Sequence, residues 1–152
     1  MKKIVLVSVL SLFMLVGCSS TAVENDEFKI YGFDKNVESK TVVGTVSISK
    51  DLSKEEKLNT LFNEIYKNYS DKYKMEIKLR DDNIVELNII NGDEIRNQLS
   101  SSAQVEGFIF TFIDSLLQKE YTGDWISGVQ VLNNGEIDTE LGEGAFEEVY
   151  KR

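Results

Sequence analysis

Two periodicities divide the chain. Residues 41–49 alternate, with Val42, Gly44, Val46 and Ile48 on one face and Thr41, Val43, Thr45, Ser47 and Ser49 on the other. A period of two with one apolar face predicts a half-buried strand. Residues 28–33 (FKIYGF) predict a shorter strand before it. Lys72 to Arg80 alternates again, setting Tyr73, Met75, Ile77 and Leu79 against Lys74, Glu76, Lys78 and Arg80. Ile84 to Ile90 returns with Val85, Leu87 and Ile89 on one side. The intervening Asp81-Asp82-Asn83 has turn chemistry, so this pair reads as a β-hairpin. Val129 and Val131 lead into Asn133-Asn134-Gly135, with Ile137 beyond. Asn-Gly supplies the positive φ angles of a tight turn and predicts a last hairpin there.

The second periodicity is helical. Leu58, Leu61, Phe62, Ile65 and Tyr69 follow Ser53 and Glu56, whose separation is that of a capping box. This predicts a helix over 54–69. Ser101 and Gln104 repeat the spacing ahead of Val105, Phe108, Ile109, Phe112, Leu116 and Leu117, a broad apolar stripe that predicts a helix over 102–119. The expected order is β-β-α-β-β-α-β-β. Strands with one apolar face and helices with one apolar stripe predict an α+β fold. The economical arrangement is a two-layer sandwich, both helices on one face of an antiparallel or mixed sheet. The 152 residues include no proline, so no rigid linker divides 28–152, which is expected to be one domain.

The first residues follow neither period. Met1-Lys2-Lys3 is cationic, and Ile4 to Val16 is apolar except at Ser8 and Ser11. As a helix, Ile4 to Gly17 would reach about 21 Å, short of the ~30 Å hydrocarbon core of a bilayer. Residues 1–17 therefore read as a secretory signal peptide. Its end, Leu15-Val16-Gly17-Cys18, resembles a bacterial lipobox. That resemblance implies fatty acylation of the Cys18 thiol and cleavage that leaves Cys18 first in the mature chain. Each buried methylene contributes ~0.8 kcal/mol, so a multiply acylated cysteine anchors firmly. Residues 18–27 then read as a lipidated tether, of which the nine from Ser19 to Glu27 reach at most ~30 Å. The expected location is the extracytoplasmic face of the cell membrane.

Composition narrows the chemistry. Seventeen basic and 26 acidic residues give a net charge of −9, which argues against binding a nucleic-acid backbone. Histidine is absent and Cys18 is the sole cysteine. The commonest general base is therefore missing, as are an intrachain disulfide and any zinc site of Cys and His.

The succession of a capped helix, VELNIINGDEI, SSSAQ, FIFTFIDSLL and WISGVQVLNNGEI is similar to the GerMN domain of spore-germination and sporulation lipoproteins. The closing pattern of that family falls on Val129, Val131 and Gly135, and the resemblance spans residues 28–142. It implies a fold like ring-building domains and a non-enzymatic envelope protein that contacts a protein partner or further copies of itself. It implies no catalytic residue, cofactor, metal or small-molecule substrate. The alternative is an envelope module that binds peptidoglycan or another surface ligand.

Several residue groups offer chemistry on paper, each with a plainer explanation. Asp81-Asp82-Asn83 carries oxygen ligands for calcium, but a turn uses the same residues. Ser100-Ser101-Ser102 offers hydroxyls, and Ser101 suits a helix N-cap. Asp93-Glu94 or the acidic C-terminal segment offers paired carboxylates for glycan cleavage. Tyr66, Tyr69, Tyr73 and Trp125 offer stacking surfaces, or core. Lys67, Lys72, Lys74, Lys78 and Arg80 cluster in one stretch, and Glu136, Asp138, Glu140, Glu143, Glu147 and Glu148 in another. That asymmetry suggests head-to-tail contact between copies or with a partner.

Overall fold

The computed structural model describes residues 24–34, 38–70, 72–99, 101–137 and 141–152. The expected signal peptide, Leu15, Val16, Gly17 and Cys18 lie outside the described residues. In chain order the elements are β1 (Asn25–Phe33), β2 (Lys40–Ser49), α1 (Lys54–Tyr66), β3 (Lys74–Leu79), β4 (Ile84–Ile90), α2 (Gly92–Gln98), α3 (Ser102–Leu117) and β5 (Gly128–Asn133). A 3-10 turn over Leu141–Gly144 and β6 (Tyr150–Lys151) close the chain. The fold is α+β. Among the described residues, no helix is long and apolar enough to cross a membrane.

The strands form two sheets. β1 and β2 make an antiparallel pair, and β3-β4-β5-β6 make a mixed four-stranded sheet with β4 and β5 parallel. The parallel step needs a crossover connection, which α2 and α3 supply. Val85, Leu87 and Ile89 of β4, with Val129 and Val131 of β5, are buried in one core with Leu58, Leu61 and Ile65 of α1 and Ile109, Phe112 and Leu116 of α3. Both long helices therefore cover the same face of the larger sheet.

The α1 start follows the sequence closely. The Glu56 carboxylate accepts from the Ser53 amide at 2.8 Å, and the Ser53 Oγ accepts from the Glu56 amide at 3.3 Å. These bonds satisfy two amides that the first helical turn would otherwise leave without partners.

Four features depart from the sequence reading. The first is the separate β1–β2 pair, where one sheet was the economical expectation. The second is α2, a short helix absent from the expected order. The third is the C-terminal strand: Asn133 bridges Glu136 across the Asn134-Gly135 turn, yet Ile137 is 53% exposed and outside any strand. The last ladder is made by β6, whose Tyr150 pairs with Val129. Gly128 admits this close approach; a Cβ there would stand 2.9 Å from the Tyr150 carbonyl oxygen. The fourth is the domain start. Residues 25–27 belong to β1, so they are not tether.

A bulge also breaks the alternation expected of β2. The ladder runs Asn25 opposite Ser49 to Ile30 opposite Gly44, then shifts so that Tyr31 faces Val42. One extra residue turns the following side chains over. Ile48 stays buried, whereas Val42 and Val43 are 51% and 64% exposed.

The β1–β2 pair is fixed to α3 by side chains that stand in for a neighbouring strand. Gln118 accepts from the Lys29 amide at 3.0 Å through Oε1 and donates to the Lys29 carbonyl at 2.6 Å through Nε2. The Ser115 hydroxyl accepts from the Tyr31 amide at 2.9 Å. Gln118 caps α3 with a φ of 45°, in the left-handed region. Gln118→Ala removes both bonds to Lys29 and is expected to cost about 1–3 kcal/mol in urea denaturation. Gln118→Gly loses the same bonds but relieves the backbone, so its cost is expected to be smaller by about 1 kcal/mol. Equal stability of native and alanine proteins would contradict the clamp.

Candidate functional site

Four of the residues singled out for catalysis or ligation, Asp82, Asn83, Ser101 and Asp93, are engaged in structural bonds. In the β3–β4 turn, Asp82 receives Arg80 at 2.7 Å and the Ile84 amide at 3.3 Å. Asn83 sits at a φ of 62°, its side-chain oxygen faces the Lys54 ammonium at 3.0 Å, and its carbonyl accepts from the Ser127 amide at 2.8 Å. The Asn83 side-chain oxygen is thus taken by a lysine ammonium, which also pairs with Asp124. Ser101 caps α3, its Oγ accepting from the Gln104 amide at 3.3 Å. Asp93 pairs with Arg96 one turn along α2. Among the described residues, no three carboxylates, cysteines or histidines group as metal ligands. Ser100, Asp138 and Glu140 lie outside the described residues.

The aromatic candidates build the core. Trp125 is buried, donates from Nε1 to the Leu116 carbonyl at 2.7 Å and lies 4.8 Å from the Phe28 ring. Tyr73 packs on Phe108 at 4.9 Å, and Tyr69 on Phe108 and Phe112 at 5.1 and 5.7 Å. The Tyr66 hydroxyl donates to the Tyr73 carbonyl at 2.6 Å and accepts from the Met75 amide at 3.3 Å. Trp125 and Tyr73 are buried, and Tyr66 and Tyr69 are partly buried against the core.

One ion pair that the sequence did not reveal stands at the rim of the core. Asp26 accepts from Lys57 and from the Tyr121 hydroxyl, each at 2.9 Å. The two charged side chains are 11% and 12% exposed. Burial pushes the Asp26 carboxyl up; the bonds from Lys57 and Tyr121 and the lysine charge outweigh it and hold the group below its ordinary value of 3.8. Burial and the Asp26 carboxylate raise the Tyr121 phenol. This triangle ties β1, α1 and the loop after α3 together, so its role is structural.

What remains open is surface. The outer face of the larger sheet carries a shallow groove of about 500 Å³ beside Glu76, Lys78, Glu86, Asn88 and Leu132. Asn88 joins Glu76 at 2.8 Å, and Lys78 lies directly opposite Glu86. The charge asymmetry has a spatial form. Lys72, Lys74, Lys78 and Arg80 lie along and beside β3, one edge strand of the sheet. The exposed Glu147 and Glu148 lie just before β6, the opposite edge strand. The third surface is β2, which pairs with β1 alone among the described strands.

Set beside known proteins, the chain matches no protein-family model, no curated protein and no solved structure.

Proposed function

We propose that this chain is a non-enzymatic lipoprotein, held by acylated Cys18 at the extracytoplasmic face of the cell membrane, whose domain binds other protein chains. The GerMN resemblance adds that the setting is sporulation or spore germination. The observation that carries the binding role is a contrast. The aromatic candidates are packed on or in the core and Asp82, Asn83, Asp93 and Ser101 are held in local bonds, while β2, uncharged from Thr41 to Ser49, pairs with β1 alone among the described strands. Open edges of this kind recruit chains. The sequence Leu15-Val16-Gly17-Cys18 supports the anchor.

The second reading, an envelope module for peptidoglycan, draws on the polar groove over Glu76, Glu86 and Asn88. In-cell cross-linking of the full chain, with co-sedimentation on purified peptidoglycan, separates the two. Protein adducts with no peptidoglycan retention are expected; retention without adducts would favour the groove. Cys18→Ser is expected to abolish metabolic labelling with palmitate, and labelling that survives it would contradict the anchor.

A further inference from the structure

Asparagine followed by glycine is chemically labile. The glycine amide nitrogen, once deprotonated, attacks Cγ of the asparagine before it. A C–N bond forms, ammonia leaves, and the ring is a succinimide. Water then opens the ring at either carbonyl, giving aspartate or isoaspartate. Glycine has no side chain to hinder the attack, so the reaction is slow only where the nitrogen or the carboxamide is restrained.

This chain contains two such dipeptides, Asn91-Gly92 and Asn134-Gly135. The fold brings them together at one end of the larger sheet, Asn91 between β4 and α2 and Asn134 in the turn after β5. Both asparagines lie in the left-handed region, at φ of 61° and 53°. Each glycine nitrogen is held by the side chain of another asparagine. The Gly135 amide donates to Asn88 Oδ1 at 2.8 Å, and the Gly92 amide donates to Asn133 Oδ1 at 2.9 Å. A bond to a neutral carboxamide oxygen stabilises the N–H and so opposes its deprotonation. The Asn134 carboxamide is itself pinned: Oδ1 accepts from the Asn91 amide at 3.1 Å, and Nδ2 donates to Asn133 Oδ1 at 3.2 Å. Solvent access separates the two sites. Gly92 is buried, whereas Asn134 and Gly135 are exposed, with nothing within 4 Å of where a Gly135 Cβ would stand.

We propose that Asn134 is a site of spontaneous deamidation restrained by the Asn88 hydrogen bond, and that its conversion releases the second site at Asn91. Conversion of Asn134 places a carboxylate oxygen where Nδ2 had donated to Asn133. Isoaspartate also lengthens the backbone within the turn. Both changes act on Asn133, the residue that holds the Gly92 amide, so Asn91 follows. The inference is independent of the binding role.

The test is peptide mapping of the full chain, aged in mild detergent at mildly alkaline pH, with asparagine, aspartate and isoaspartate resolved at both positions. In the native chain, conversion at Asn134 is expected to be slower than in the urea-unfolded chain and to precede conversion at Asn91. Asn88→Ala frees the Gly135 amide and leaves the Gly92 bond in place. It is expected to speed conversion at Asn134 by about two- to tenfold, the rate equivalent of one hydrogen bond, with the initial rate at Asn91 unchanged. Asn134→Asp sets the converted state from the outset and is expected to raise the initial rate at Asn91. Equal acceleration at both asparagines in Asn88→Ala is the mark of general unfolding and overturns the proposal. So does an unchanged rate at Asn134, or a native chain that converts as fast as the unfolded one. An Asn91 rate unmoved by Asn134→Asp overturns the coupling between the sites.

Discussion

Phe28→Ala is expected to lower the free energy of unfolding by about 3–5 kcal/mol, the largest loss from any single truncation in β1. Phe28 is wholly buried, and its ring lies 5.1 Å from Tyr121 and 4.8 Å from Trp125. It is the main apolar anchor between the β1–β2 pair and the end of α3. Truncation removes apolar burial and leaves a void that two large, hydrogen-bonded rings fill poorly. Domains of this size have about 5–15 kcal/mol of total stability, so the variant stands near the edge of folding. The measurement is urea denaturation followed by tryptophan fluorescence, which reports from Trp125 at the same contact. A loss below about 1 kcal/mol would mean that β1 is not seated on α3 as described.

The second large effect comes from Lys57. Lys57→Met is expected to cost about 1.5–3 kcal/mol, the range for a hydrogen bond to a charged group. The pair sits at the rim of the core, so the larger penalties of deep burial do not apply. Asp26→Asn with Lys57→Met should cost less than the sum of the single changes, and a double-mutant cycle measures that coupling. The sign of the pH effect follows from the depressed carboxyl. Because folding lowers the Asp26 pKa from 3.8, the pair stabilises fully above that value and loses its contribution as pH falls through the lower, folded value. The native protein should therefore lose stability below pH 3.8 more steeply than the Asp26→Asn variant. Identical acid profiles for the two would remove Asp26 from the account.

Much of the fold was legible locally. Ser53 and Glu56 announced α1 because both halves of a capping box lie three residues apart. The β3–β4 hairpin was legible because Met75, Val85, Leu87 and Ile89 repeat with a period of two up to a turn at Asp81-Asp82-Asn83. The missed elements are those whose cause is distant or brief. α2 spans seven residues, buries the Ile95 side chain and begins at Asn91, which makes no side-chain cap bond, so no periodicity marks it. β1 and β2 form a separate pair because Ser115 and Gln118, 84 and 89 residues from their partners, close the β1 edge. The Asn134-Gly135 turn was read correctly. The strand expected after it failed because Leu141 and Phe146 are buried in the core and the final ladder is left to β6.

The candidate site was less legible. Trp125 and the tyrosines could be either surface or core by pattern; burial decides for core at Trp125 and Tyr73, and Tyr66 and Tyr69 lie partly buried at its margin. The Asp26–Lys57 pair gave no local signal, since 31 residues separate its members. Asp26 sat in a stretch polar enough to pass for tether. The exposure of Val42 and Val43 depends on a bulge that sequence alternation alone does not show.

The account rests on where the chain is held and what it presents there, and the most direct measurement is the intact mass of the protein extracted from membranes. A chain that begins at Cys18 and carries fatty-acyl mass on that residue is the predicted result. A chain that begins at Met1, or one whose Cys18 thiol is free, would contradict it.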